Sequence, residues 1–157
     1  MSQTTPVYSL YKKFARWPGG RWLFSRIFSF KAPYFATIGG RFSELRPNFC
    51  EVHLRKRRKV QNHIKTVHVI AICNAMEMAM GALAESTIPK GLRWIPKGMA
   101  VDYTAKATSD LRIQATTRAE DWKEGDVPVT VKAYRDDDTV VVEGTIMLYV
   151  SPKPQKG

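Results

Sequence analysis

At 157 residues, 44% of them hydrophobic, the chain suffices for one domain with an ordinary buried core. No stretch approaches the ~20 unbroken apolar residues of a transmembrane helix, and no apolar block with a small-residue cleavage site marks a secretory signal. The net charge of +11 is unevenly held: residues 1–66 carry 14 Lys and Arg against only Glu44 and Glu51, and the remainder is close to neutral at −1. A field of that kind attracts phosphates, whether of a nucleic acid, an anionic membrane or a nucleotide-tailed cofactor.

Cys50 and Cys73 have neither metal-type spacing nor the density of a secreted scaffold, so both read as reduced thiols in a cytoplasmic protein. From Val7 to Phe30 aromatic residues alternate with Lys and Arg at helical spacing. Pro18-Gly19-Gly20 divides this stretch into two short amphipathic helices. Extended segments follow at about 35–46 and 49–56, joined by the turn signal Pro47-Asn48.

The strongest helix is expected from about His68 to Glu85, with Ile72, Ala75, Met76, Ala79, Met80 and Leu83 on one buried face. After it the period changes to two. Met99, Val101, Tyr103 and Ala105 alternate with polar residues, as do Leu111–Ala115 and Val127–Ala133, and Asp136-Asp137-Asp138 turns into a last strand over 139–150. One buried helix and a meander of antiparallel strands describe an α+β fold, a curved sheet wrapped around a helix. The expected organisation is helices over 1–34, a sheet-and-helix domain over 35–150 and a disordered tail over 151–157. A sheet of this kind leaves an open edge, expected near Val140–Tyr149.

Asn62-His63-Ile64-Lys65-Thr66-Val67-His68-Val69-Ile70 stands at the start of the buried helix, and Glu77 lies nine residues beyond His68. This pattern resembles the hotdog thioesterases of the phenylacetyl-CoA and 4-hydroxybenzoyl-CoA type. Their motif is Asn-x-x-Gly-Thr-x-His-Gly-Gly, with an acid nine positions after the His. The resemblance covers roughly residues 35–150 and implies a hotdog fold with a leading helix, a hairpin, a long central helix and then strands. The aromatic N-terminal helices are similar to an uncharacterised bacterial branch of that superfamily. Lys65 stands for the first Gly, Val69-Ile70 for the Gly pair, and Lys106 and Ser109 for the Pro and Gly of a later turn.

The resemblance implies hydrolysis of an acyl-CoA or acyl-carrier-protein thioester in a homodimer or homotetramer, with coenzyme A present only as part of the substrate. Glu77 is then the base or nucleophile, Asn62 of the other chain orients water or the carbonyl, and the Val69 and Ile70 N–H groups receive the oxyanion. The physics agrees on two points: a helix N-terminus offers unpaired N–H groups to a developing negative charge, and a carboxylate in an apolar helix asks for a reason. A second reading of Glu77 is a structural partner for an Arg or for Asn74. His68 and Asn74 are candidate substrate contacts, His68 equally a structural residue at the helix start.

The run Arg55-Lys56-Arg57-Arg58-Lys59 is either a solvated strand end or a hold on the phosphates of coenzyme A through Arg57 and Arg58, with Lys106 a further candidate contact. No motif for nucleic-acid binding accompanies it. His63 and His68 are poorly spaced for a metal, and no metal site is expected. A non-catalytic acyl- or lipid-binding protein, and peripheral membrane contact through residues 7–31, stand as rival readings.

Overall fold

A computed structural model describes residues 4–154 of the chain. Helix α1 spans Pro6–Ala15, with Thr5 as N-cap and Pro6 at the first helical position, where its missing N–H costs nothing. Helix α2 spans Gly20–Lys31. Between them Gly19 adopts φ 76°, and a Cβ on Gly20 would stand 1.8 Å from the Phe14 carbonyl oxygen, so this elbow tolerates only glycine.

Strands β1 (Arg41–Arg46) and β2 (Phe49–Leu54) form a hairpin whose turn residue Asn48 takes φ 65°. The central helix α3 spans Val69–Thr87. Strands β3 (Leu92–Tyr103), β4 (Leu111–Thr116), β5 (Gly125–Tyr134) and β6 (Val140–Pro152) complete one antiparallel sheet of order β1-β2-β4-β5-β6-β3. The sheet curves around α3 in the hotdog architecture that the motif implied.

The expected helix face is the buried one: Ile72, Ala75, Met76, Ala79, Met80 and Leu83 are all at most 1% exposed. They meet Val52 and Leu54 of β2, Ile113 of β4 and Val129 and Val131 of β5 in one core. Each large side chain so buried contributes ~1.5–3 kcal/mol from apolar area alone. Helix α3 is the one described helix long and apolar enough to cross a membrane, yet 67% of that window is buried inside the fold. The sheet covers it as a core helix.

The N-terminal helices join this core rather than standing apart. Tyr11 and Phe24 are buried, and Phe24 lies edge-on to Phe42 of β1 with ring centroids 5.3 Å apart.

Three expectations need correction. The first extended segment begins at Arg41, because residues 33–37 form a 3₁₀ turn started by Pro33. The open edge is β3, not 140–149: the chain crosses over so that β6 is paired on both sides, with β5 and with β3. Strand β6 also runs to Pro152, pairing Ser151 with Arg93, so the ladder takes the first two residues of the expected tail. Residues 155–157 of that tail lie outside the described residues.

Candidate functional site

The loop that enters α3 is held by its own asparagine. Asn62 Oδ1 accepts hydrogen bonds from the Ile64 N–H (3.2 Å) and the Thr66 N–H (3.1 Å), and its Nδ2 donates to Thr66 Oγ1 (2.9 Å). Asn62 therefore shapes the turn, which leaves one N–H of its amide for any other partner. Lys65 within this turn has φ 63°. That left-handed conformation explains the glycine of the motif, since a side chain there carries ~1 kcal/mol of strain. Lys65→Gly is expected to raise the thermal midpoint by a few degrees, a gain of up to about 1 kcal/mol, readable in a melting curve.

His68 is the N-cap of α3. Its Nδ1 accepts from the Ile70 N–H at 3.1 Å, one of the donors that a helix start leaves unpaired. The expectation that both Val69 and Ile70 offer free N–H groups is corrected accordingly: Ile70 is capped, and among the described residues the Val69 N–H makes no hydrogen bond. His68 is thus a structural cap that also borders the groove described next.

His68, Ile70 and Asn74 line a groove of about 400 Å³ with Tyr34, Thr37, Lys59 and Gln61. Asn74 is 7% exposed. Its Nδ2 donates to the Tyr34 carbonyl oxygen and to Thr37 Oγ1, both at 3.2 Å, which fixes the amide's orientation. Among the described residues its Oδ1 has no partner. A buried, unpaired acceptor is costly and sets up a site for a ligand N–H or O–H.

Glu77 lies one turn beyond Asn74 and is half-buried, so the expectation of a fully buried carboxylate is corrected. It belongs to a partly open stripe of α3 that includes Ile70 and Cys73. Among the described residues it makes no hydrogen bond or ion pair, and Asn74 turns its amide elsewhere. The reading of Glu77 as a structural partner for Arg or Asn74 therefore finds no contact. Burial, and to a lesser degree the Glu77 charge, push the Cys73 thiol up, which keeps it protonated and a poor nucleophile.

The basic run divides. Arg57 donates to the Ile38 carbonyl oxygen at 2.8 Å. With Arg26, Arg41, His53, Arg55 and Lys59 it lines a second cavity, of about 460 Å³, between α2 and the β1–β2 hairpin. None of these six makes an ion pair among the described residues. Glu51 on β2 faces Gln114, Ser43 and Arg112 instead. Burial alone would raise its carboxyl, but those partners outweigh it and hold it below the usual range.

Arg58 is exposed and does not line the cavity. Lys59 borders both cavities and so joins the basic cleft to the groove at Asn74. Lys106 is exposed in the β3–β4 loop, whose Ala107 carbonyl oxygen accepts from the Val67 N–H just before α3. Sequence reasoning missed Tyr34, Thr37, Arg26 and Arg41: they come from elements 15 or more residues away from the motif, and only the fold brings them there.

Comparison with solved structures finds a crystal structure of a genomics target at 44% identity and TM-score 0.82, covering 94% of this chain and 99% of that one. A Pseudomonas aeruginosa protein named a probable thioesterase aligns at 18% identity and TM-score 0.75, over 82% of this chain and 93% of its own. A thioesterase family protein from Silicibacter pomeroyi aligns at 18% identity and TM-score 0.70, over 82% and 96%. The last two share the fold. No curated protein matches the chain. The family model described as Domain of unknown function (DUF4442) matches residues 20–150, and the chain therefore belongs to that family.

Proposed function

We propose that the chain hydrolyses acyl thioesters of coenzyme A or of an acyl carrier, as a homodimer or an assembly of dimers. The observation that carries this is Glu77: a carboxylate on the core helix, without a polar partner among the described residues, one turn from a groove that holds an unpaired buried acceptor. Thioesterase-family proteins with the same fold support the reaction class. In this reading Glu77 takes a proton from water, and the resulting hydroxide attacks the thioester carbonyl. The Val69 N–H, at the positive end of α3, receives the oxyanion. Collapse expels the thiolate, which takes up the proton and leaves as the free thiol. Asn74 Oδ1 accepts from an N–H or O–H of the bound thioester.

The second reading, an acyl-binding protein without turnover, draws on Ile70. Its side chain fills a position that the motif gives to glycine, and its N–H is occupied by His68. A panel of short, long and aromatic acyl-CoA substrates assayed by thiol release separates the two. Turnover supports hydrolysis, whereas tight binding without thiol release supports the second reading.

The basic cleft is the proposed seat of the thioester's phosphates, and it gives a residue-level expectation. Arg55→Ala and Arg57→Ala, which line the cleft, raise KM for acyl-CoA about 10-fold with kcat little changed, and high salt acts in the same direction. Arg58→Ala, outside the cleft, leaves both constants alone. Equal effects from all three would return the run to a general solvated field.

A further inference from the structure

The α1–α2 elbow carries an outward apolar face that borders the basic cleft through Trp22 and otherwise lies outside it. Tyr11 and Phe24 turn inward to the core and fix both helices against β1. Their outward side is apolar nonetheless: Trp17 is 71% exposed, Trp22 51%, Leu23 42% and Leu10 39%. These four share one groove of about 570 Å³ closed by Phe14 and the Gly19-Gly20 elbow. Isolated exposed apolar residues are ordinary, but a contiguous set on a fixed scaffold marks a contact surface.

Charge identifies the partner. Residues 4–43 hold seven Lys and Arg and no Asp or Glu. Lys13 lines the apolar groove itself, and exposed Arg16 and Arg21 flank its tryptophans in sequence. Tryptophan and leucine framed by cations match the boundary of an anionic bilayer, where indole rings settle at headgroup depth and cations meet lipid phosphates. A second copy of the same surface would bring like charges together. The elbow also packs at β1, the sheet edge opposite β3, so pairing of chains through β3 leaves it uncovered.

We infer that this elbow docks the protein on anionic lipid bilayers, with Trp17, Trp22, Leu10 and Leu23 entering the interface and Lys13, Arg16 and Arg21 holding the phosphates. The inference stands on the elbow's own residues and does not depend on the thioester reading.

The test is co-sedimentation of the full chain with vesicles of phosphatidylcholine alone and with an equal mixture of phosphatidylcholine and phosphatidylglycerol. The chain sediments with the mixed vesicles, tryptophan emission shifts to the blue, and raised salt releases it. Trp17→Ser with Trp22→Ser lowers partitioning at least ~10-fold without moving the melting curve, since both rings are exposed in the folded chain. Equal binding to both vesicles, or none to either, overturns the inference. So does a double variant that keeps its vesicle binding but forms a smaller oligomer in light scattering, because the surface would then belong to a second copy.

Discussion

Glu77→Gln yields a folded protein whose thioester turnover is lower by at least ~10²-fold, the usual loss when a positioned base is removed. The substitution keeps the side chain's shape and removes its charge. Because Glu77 has no hydrogen-bond or ion-pair partner among the described residues, no other group is stranded by the change. The melting temperature therefore holds or rises, since a neutral amide is cheaper to keep half-buried than a carboxylate.

A structural Glu77 predicts the reverse: the melting temperature falls and the folded fraction keeps full activity. The neighbouring thiol supplies the control. Cys73 lies one turn before Glu77, and burial pushes its thiol up, so Cys73→Ser leaves turnover near the parent value. A loss as large as that of Glu77→Gln would move the nucleophile to sulfur.

The sequence disclosed α3, β4 and β5 because each buries one kind of surface. The spacing from Ile72 to Leu83 and the alternation of Ile113 or Val129 with polar neighbours are direct records of which side faces the core. The same logic misled at β3. Met99 and Tyr103 alternate with polar residues as a half-buried strand would, yet they are 38% and 65% exposed, because β3 ends the sheet and meets α3 at its other end, where the Trp94 indole N–H donates to Glu85 Oε1 at 3.0 Å. Alternation records burial in whatever state the chain works in, and a single chain need not be that state.

The site was legible only in part, for a related reason. The motif located Asn62, His68 and Glu77, but not the bonds they make. That Asn62 is spent on its own turn, and that His68 caps Ile70, are local geometry that residue types alone leave open. Asn74 lies within the motif's reach, but its partners Tyr34 and Thr37 are 40 and 37 residues distant. They sit in a 3₁₀ turn at the junction between the expected helices and the expected first strand, and contacts of that separation carry no periodic signal.

Met99→Lys with Tyr103→Lys is expected to weaken self-association at least ~10²-fold while the separate chain keeps its stability. Strand β3 is 12 residues long and pairs on one side only, with β6. Such an edge is managed in a native protein by charge, proline, irregularity or a partner. Here Pro96, Lys97 and a bulge at 96–98 interrupt its first half, whereas 99–103 pairs regularly with β6 and carries Asp102 as its single charge. Met99 and Tyr103 stand opposite Ile146 and Val142, on the face of the sheet that α3 occupies.

An isologous pairing of two β3 edges would bury both residues twice, once in each chain. Loss of ~1.5–2 kcal/mol for each of the two substituted positions, both copies taken together, at ~1.4 kcal/mol for each tenfold, gives the expected weakening. Both side chains are already exposed in the single chain, so the melting curve of the dilute variant should not move. Light scattering over a dilution series reads the effect. If the site draws Asn62 from one chain and Glu77 from the other, turnover of the variant falls with dilution along the same curve. Mixing Glu77→Gln with Asn62→Ala then restores part of the activity, since each mixed dimer holds one intact pair. A chain that is monomeric before substitution, or a mixture no more active than its parts, would show that the site is complete within one subunit.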